Sequence, residues 1–176
     1  MIRVLCIRIV DRLKATGLVQ DVLSKHAGII TTRLGFHEIT DELCSREAVI
    51  VLHLGGSHSE CAGLDSDLKQ IGGIEVIAAV FDENMPCEAM ENTGIISVAV
   101  VLTERDADTV RDVQKILTSY GCYIKTRLGV NEMFYGRQAG LIILELKGDM
   151  QQRRLLAKDL DMLKNVRVRT LALQAG

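Results

Sequence analysis

Nitrogen and sulfur donors are the first groups in this chain that could do chemistry. His53, His58 and Cys61 stand close together, with His37 and Cys44 a short way upstream. His58 and Cys61 are three apart, so a helix over them would set both on one face. Imidazole and thiolate together would suit nickel, zinc or copper. Exposed histidines and a half-buried thiol are the plainer reading, and we assign no metal ligand. A metal sensor or carrier built on these residues stays as an alternative.

Two arginines form a second group. Arg33 and Arg127 each lie in a Thr-Arg-Leu-Gly segment, which ends at Gly35 and Gly129. An arginine on a strand can hold a carboxylate or phosphate bidentately, or make a structural ion pair. Alternation counted from Ile30 and Ile124 points both toward the face of the sheet that carries no helices. A third candidate is the segment from Asp11 to Val19, where a first strand turns into a first helix. Gly17 and Leu18 lie within it, and a helix N-terminus offers free N–H groups to an anion. Most such turns bind nothing. The matching segment Glu104-Arg105-Asp106-Ala107-Asp108 has no glycine and is acidic, so the two turns are not equivalent. No nucleophile elbow, zinc-protease helix, phosphate loop or dinucleotide fingerprint is found. The expectation is a protein without catalytic machinery and without a cofactor.

These groups are positioned by a duplication. Thr32-Arg33-Leu34-Gly35 recurs as Thr126-Arg127-Leu128-Gly129, and Val19-Gln20 with Leu23 recurs as Val113-Gln114 with Leu117, both 94 residues on. After the next loop the offset is 92, as in Leu52/Leu144, Gly56/Gly148, Asp67/Asp159 and Val76/Val168. An internal repeat of this length means one structural unit used twice. At the aligned positions the second copy carries Glu145, Met150 and Arg153 in place of His53, His58 and Cys61, which weakens the metal reading.

Periodicity predicts strands at 2–10, 28–35, 47–54 and 74–81, with helices at 17–27 and 58–71. The second copy repeats the order: strands at 95–103, 122–129, 139–147 and 166–173, helices at 106–120 and 149–163. Gly72-Gly73 suits a helix end that needs positive φ, and Asp149 suits an N-cap. The fold class is therefore α+β, two tandem ferredoxin-like βαββαβ units with both helices on one face of each antiparallel sheet. We expect one unit at 1–81, an acidic linker at 82–94 holding the only proline, Pro86, and a second unit at 95–176. Ile50, Leu52 and Leu54, like Ile142, Leu144 and Leu146, should meet the helices. Val49, Val51 and His53, like Leu141, Ile143 and Glu145, should face the open side with Ile77 and Leu171. An apolar open face is seldom left in water, so we expect the open faces to pack together, within the chain or between chains. Glu75 and Arg167 are aligned and of opposite charge, and could meet there.

Composition narrows the function. Hydrophobic residues make up 48% and charged residues 25%, so a packed core is expected. There is no Trp, and aromatics are only 3%, which removes the stacking platforms of single-strand nucleic-acid binders. No apolar run is long enough for a membrane span. The five cysteines form no CxxC pair, so free thiols and a cytoplasmic setting are expected. Residues 1–94 carry a net −6 and residues 95–176 a net +4, an asymmetry that suits a partner surface or two halves that attract.

The stretch from Asp11 through Gly17-Leu18-Val19 and Val22-Leu23 to His26-Ala27-Gly28-Ile29-Ile30 resembles the start of an ACT domain. Tyr120-Gly121-Cys122-Tyr123-Ile124 with Arg127-Leu128-Gly129, Gly140 to Leu144 and Val166-Arg167-Val168 are similar to ACT-like regulators of the iron-only hydrogenase system. The sensing domain of nickel-responsive repressors shares that architecture. The resemblance implies a regulatory role, with a ligand near the first strand–helix turn, here Asp11 and Gly17. We therefore expect a non-enzymatic sensor of an amino acid or similar anion. Its ligand residues would be Asp11, Gly17, Leu18, Arg33, Gly35, Arg127 and Gly129. It would act as a homodimer through a protein partner, with no direct contact to nucleic acid or membrane. A purely structural interaction module is the remaining alternative.

Overall fold

The structure, a computed structural model, describes residues 1–36, 46–82 and 96–173. His37, Cys44 and all of the expected linker except Asp82 lie outside the described residues. The chain divides near residue 78 into two compact units, each taken here by itself.

The first sheet contains β1 (Ile2–Ile9), β2 (Ile30–Phe36), β3 (Ala48–Leu54) and β4 (Ile74–Phe81), in the order β2-β3-β1-β4. Helix α1 (Arg12–Lys25) links β1 to β2, and α2 (His58–Lys69) links β3 to β4. The second sheet repeats the plan with β5 (Ile96–Glu104), β6 (Ile124–Phe134), β7 (Arg137–Leu146) and β8 (Val166–Leu173), in the order β6-β7-β5-β8. Its helices are α3 (Ala107–Ser119) and α4 (Met150–Asp161). This is the expected βαββαβ order in both halves.

Alternation assigns the core faces of the central strands. Ile50, Leu52 and Leu54 join Leu5, Ile7 and Ile9 against Val19, Leu23, Leu64 and Leu68 of the helices. In the second unit Ile142, Leu144 and Leu146 join Ala99 and Val101 against Val113, Leu117, Leu156 and Leu160. The residues of opposite alternation, among them Val51, His53, Leu141, Ile143 and Glu145, are buried as well.

Two expectations need correction. Helix α1 starts at Arg12 instead of residue 17, because Asp11 caps it by accepting from the Leu13 N–H at 3.1 Å. Its buried stripe is Ala15, Val19 and Leu23, while Leu13 and Leu18 are apolar residues left exposed, and they blur the helical period. The second correction concerns Arg33 and Arg127. A bulge between Ile30 and Thr32, and its counterpart between Ile124 and Thr126, puts one extra residue into each edge strand. Arg33 then stands opposite Leu52 and Arg127 opposite Leu144, on the helix side of each sheet. A period-two count cannot see that flip.

Two turns are the same device in both copies. Gly56 and Gly148 hold φ of +106° and +86°, and a Cβ there would come within 2.7 Å of Ile29 and Tyr123 respectively. Gly73 and Asn165 both adopt positive φ, and their carbonyl oxygens accept from the Val10 and Glu104 N–H groups. Glycine and asparagine are the residues that tolerate this backbone best.

Candidate functional site

The flipped arginines explain the most specific part of the repeat. Arg33 Nη1 donates to Gln20 Oε1 of α1 at 2.8 Å, and Arg127 Nη1 donates to Gln114 Oε1 of α3 at 3.0 Å. Both pairs tie an edge strand to the first helix of its unit. Gln20 and Gln114 went unnoticed as functional candidates in the sequence, although they recur at the same offset as the arginines. A second tie has changed donors. His26 Nε2 lies 2.7 Å from Asp67 Oδ2 in the first unit, while Tyr120 Oη donates to Asp159 Oδ2 at 2.6 Å in the second. The His26 hydrogen bond, and then that of Lys25, hold the Asp67 carboxyl below the usual carboxylate range. The bond to Asp159 pushes the Tyr120 phenol up.

The strand–helix turns are less open to anions than their sequences suggest. In the first unit the Asp11 carboxylate already occupies the N-terminus of α1 and also sits 3.5 Å from Arg46. In the second, Asp106 accepts from the Thr109 N–H at 2.9 Å, and its bonds to Thr109 lower its pKa. Gly17 and Leu18 lie on the exposed face of α1, not in the turn, and nothing stands within 4 Å of a Cβ built on Gly17. Asp11, Gly17 and Leu18 are thus parts of one capped helix.

The second unit does contain a groove at its strand–helix end. A cavity of about 240 Å³ runs between α3 and the edge strand β6. Its apolar wall comes from Val110, Val113 and Ile142, and its polar groups include Arg105, Gln114 and Asn131. Gly129 lines it, with nothing within 4 Å of the place a Cβ would take. Gln114, clamped by Arg127, links the groove to that tie. Of the expected ligand residues, the structure brings Arg127 and Gly129 together here through Gln114. Arg33 and Gly35 occupy the aligned positions of β2, near Gln20. Arg105 and Asn131 were missed, since nothing in their spacing marks them.

The described members of the nitrogen and sulfur set, His53, His58 and Cys61, do not converge. His53 is buried on the side of the sheet away from the helices. Thr31 Oγ1 lies 2.8 Å from its Nδ1 and donates to its carbonyl oxygen. Cys61 is buried in the core under α2, and His58 opens that helix at the surface. The sheet therefore stands between His53 and Cys61. No group of three His, Cys, Asp or Glu side chains able to hold a metal occurs among the described residues. Cys6 is buried too, and burial, followed by the charge of Glu75, pushes its thiol up to about 12. Such a thiol is inert at neutral pH.

No family model matches this chain, and no curated protein matches it. Solved structures do. An uncharacterized protein from Thermotoga maritima is 24% identical over 45% of this chain and 96% of its own, with a TM-score of 0.40. The regulatory subunit of aspartate kinase from Thermus thermophilus is 14% identical over 90% of this chain and 91% of that one, with a TM-score of 0.34. A chlorite dismutase mutant from Candidatus Nitrospira defluvii is 10% identical over 98% of this chain and 91% of that one, with a TM-score of 0.37. All three scores are low, and the three names run from an uncharacterized protein to a regulatory subunit to an enzyme. They carry no argument about function. No helix among the described residues is long and apolar enough to cross a membrane.

Proposed function

We propose that this chain is a non-catalytic regulatory protein that binds a small ligand, an amino acid or similar anion, and reports its occupancy to a protein partner. The observation that carries this reading is the groove between α3 and β6. It combines an apolar wall, the hydrogen-bonding groups of Gln114 and Asn131, and the cation of Arg105, around space left by Gly129. A mostly apolar cleft with a few polar groups is the usual form of a small-ligand site. These groups suit holding a molecule more than converting it. The Arg127–Gln114 bond would let an occupied groove bear on both the edge strand and the helix. The ACT-like resemblance of the sequence supports the same reading, and the expected unit bounds, a cytoplasmic setting and a homodimer are part of this proposal.

Thermal melts of the full chain with single amino acids test it. A ligand at ~100 times its Kd should add about 2.7 kcal/mol. Gly129→Leu, which fills open space without strain, should abolish that shift and leave the unliganded melt near its original midpoint. No shift with any amino acid, or a shift that survives Gly129→Leu, would overturn the reading.

A further inference from the structure

The repeat allows one place in the fold to be compared with itself. In the first unit, on the side of the sheet away from the helices, Arg8 is 4% exposed and flanked by two carboxylates. Glu47 Oε1 lies 2.9 Å from its Nη2, and Glu75 Oε2 lies 3.9 Å from its Nη1. The repeat offsets carry Arg8, Glu47 and Glu75 onto Leu102, Ala139 and Arg167, and strand register agrees: Leu102 pairs with Arg167, and Ala139 with Glu104. One charge has changed sign and two have been lost, with bulk removed at Ala139.

Where the ion cluster is missing there is a cavity of about 260 Å³. Leu102 and Ala139 line it, with Phe134, Tyr135 and Arg137 from the β6–β7 turn and Arg167 from β8. Tyr135 and Gly136 both take positive φ, 48° and 76°, which makes the tight turn that sets Phe134 and Arg137 side by side. Glu104 Oε1 holds Arg137 at 3.3 Å. The Arg167 guanidinium sits 5.5 Å from the centroid of the Phe134 ring and gives one N–H to the Asp82 carbonyl oxygen at 2.8 Å. Among the described residues no carboxylate pairs with it. The cavity thus contains a cation without a carboxylate partner, an aromatic wall and an apolar floor. Its lining carboxylate, Glu104, is taken up by Arg137, and the two acids that the first unit sets on Arg8 have no counterpart.

We propose that this cavity is a second ligand site, which takes a small monocarboxylate with a flat apolar body. The carboxylate lies on Arg167, as Glu47 and Glu75 lie on Arg8, and the body rests on Leu102, Ala139 and Tyr135. A charge-assisted bond to a fixed guanidinium supplies the discrimination, since the neutral analogue leaves the cation without its anion.

Benzoate is the probe, titrated into the isotope-labelled full chain and followed by amide chemical shifts. Saturable shifts centred on residues 102–104, 134–139 and 165–167 are expected. Benzamide should bind at least tenfold more weakly, and Arg167→Gln should weaken benzoate at least tenfold. Ala139→Glu, which restores the internal carboxylate and fills the space, should abolish binding, and it decides the matter if Arg167→Gln does not fold. Gly129→Leu should leave benzoate affinity within twofold, which separates this site from the α3–β6 groove. Absence of saturation, equal binding of benzamide, or unchanged affinity in a folded Arg167→Gln or Ala139→Glu would overturn the proposal.

Discussion

The two units keep their scaffolding and differ in what they place on it. The Arg–Gln tie between edge strand and first helix is the same in both. So are the positive-φ glycines after the third strand and the capped second helices. The interior ion cluster around Arg8 has no equivalent around Leu102, and the His26–Asp67 tie becomes Tyr120–Asp159. What was retained is backbone conformation and the joints between elements. What diverged is side-chain charge on the face away from the helices, and the donor in one of the joints. A duplicated fold needs its turns and joints twice, but needs any particular ligand chemistry only once.

The comparison can be broken most severely at a retained turn. Gly148→Ala should destabilise by about 3 kcal/mol, the sum of a strained left-handed residue and an overlap with the Tyr123 ring. Gly73→Asn copies the residue found at Asn165 with the same backbone, and should cost under about 0.5 kcal/mol. Urea melts of both variants check this, and equal losses would remove the distinction between a steric glycine and a merely left-handed one.

A smaller effect sharpens the divergence. Glu47→Ala strips a buried guanidinium of its nearest carboxylate and should cost about 2 kcal/mol. Arg8→Leu combined with Glu47→Ala mirrors Leu102 and Ala139, and should cost less than Glu47→Ala alone, because no unpaired charge is left inside. A double variant weaker than the single one would show that the first unit depends on the cluster itself.

The smallest effect is in pH dependence. Asp67 is held below its ordinary value, so its contribution is complete above about pH 4, the unfolded value, and fades as pH falls through the folded one. Tyr120 is raised above its ordinary value, so its contribution is complete below about pH 10 and fades as pH rises through the folded one. Asp67→Asn should flatten the acid limb of the stability profile alone, and Tyr120→Phe the alkaline limb alone. A change on the opposite limb in either variant would mean the ties are not what sets it.

Much of this was legible in the sequence. The duplication, the order of elements and the core faces of β3 and β7 follow from offsets and alternation, since a buried central strand has no freedom to slip. Edge strands are different. One bulge residue in each edge strand reversed Arg33 and Arg127, and only the co-recurrence of Gln20 and Gln114 hinted at their partners. The start of α1 was obscured because Leu13 and Leu18 are apolar yet exposed. The groove and the cavity were not legible, because each is defined by what is small, Gly129 or Ala139, and absence of bulk has no sequence pattern.

The tyrosine that replaces His26 in the second tie has a practical consequence for spectroscopy. The chain has no tryptophan, and its three tyrosines, Tyr120, Tyr123 and Tyr135, all follow residue 119. Tyrosine fluorescence is therefore a private reporter of the second half, while far-ultraviolet dichroism reads both. Denaturation followed by the two signals together would reveal whether the copies melt as one cooperative body or in turn, with no label added.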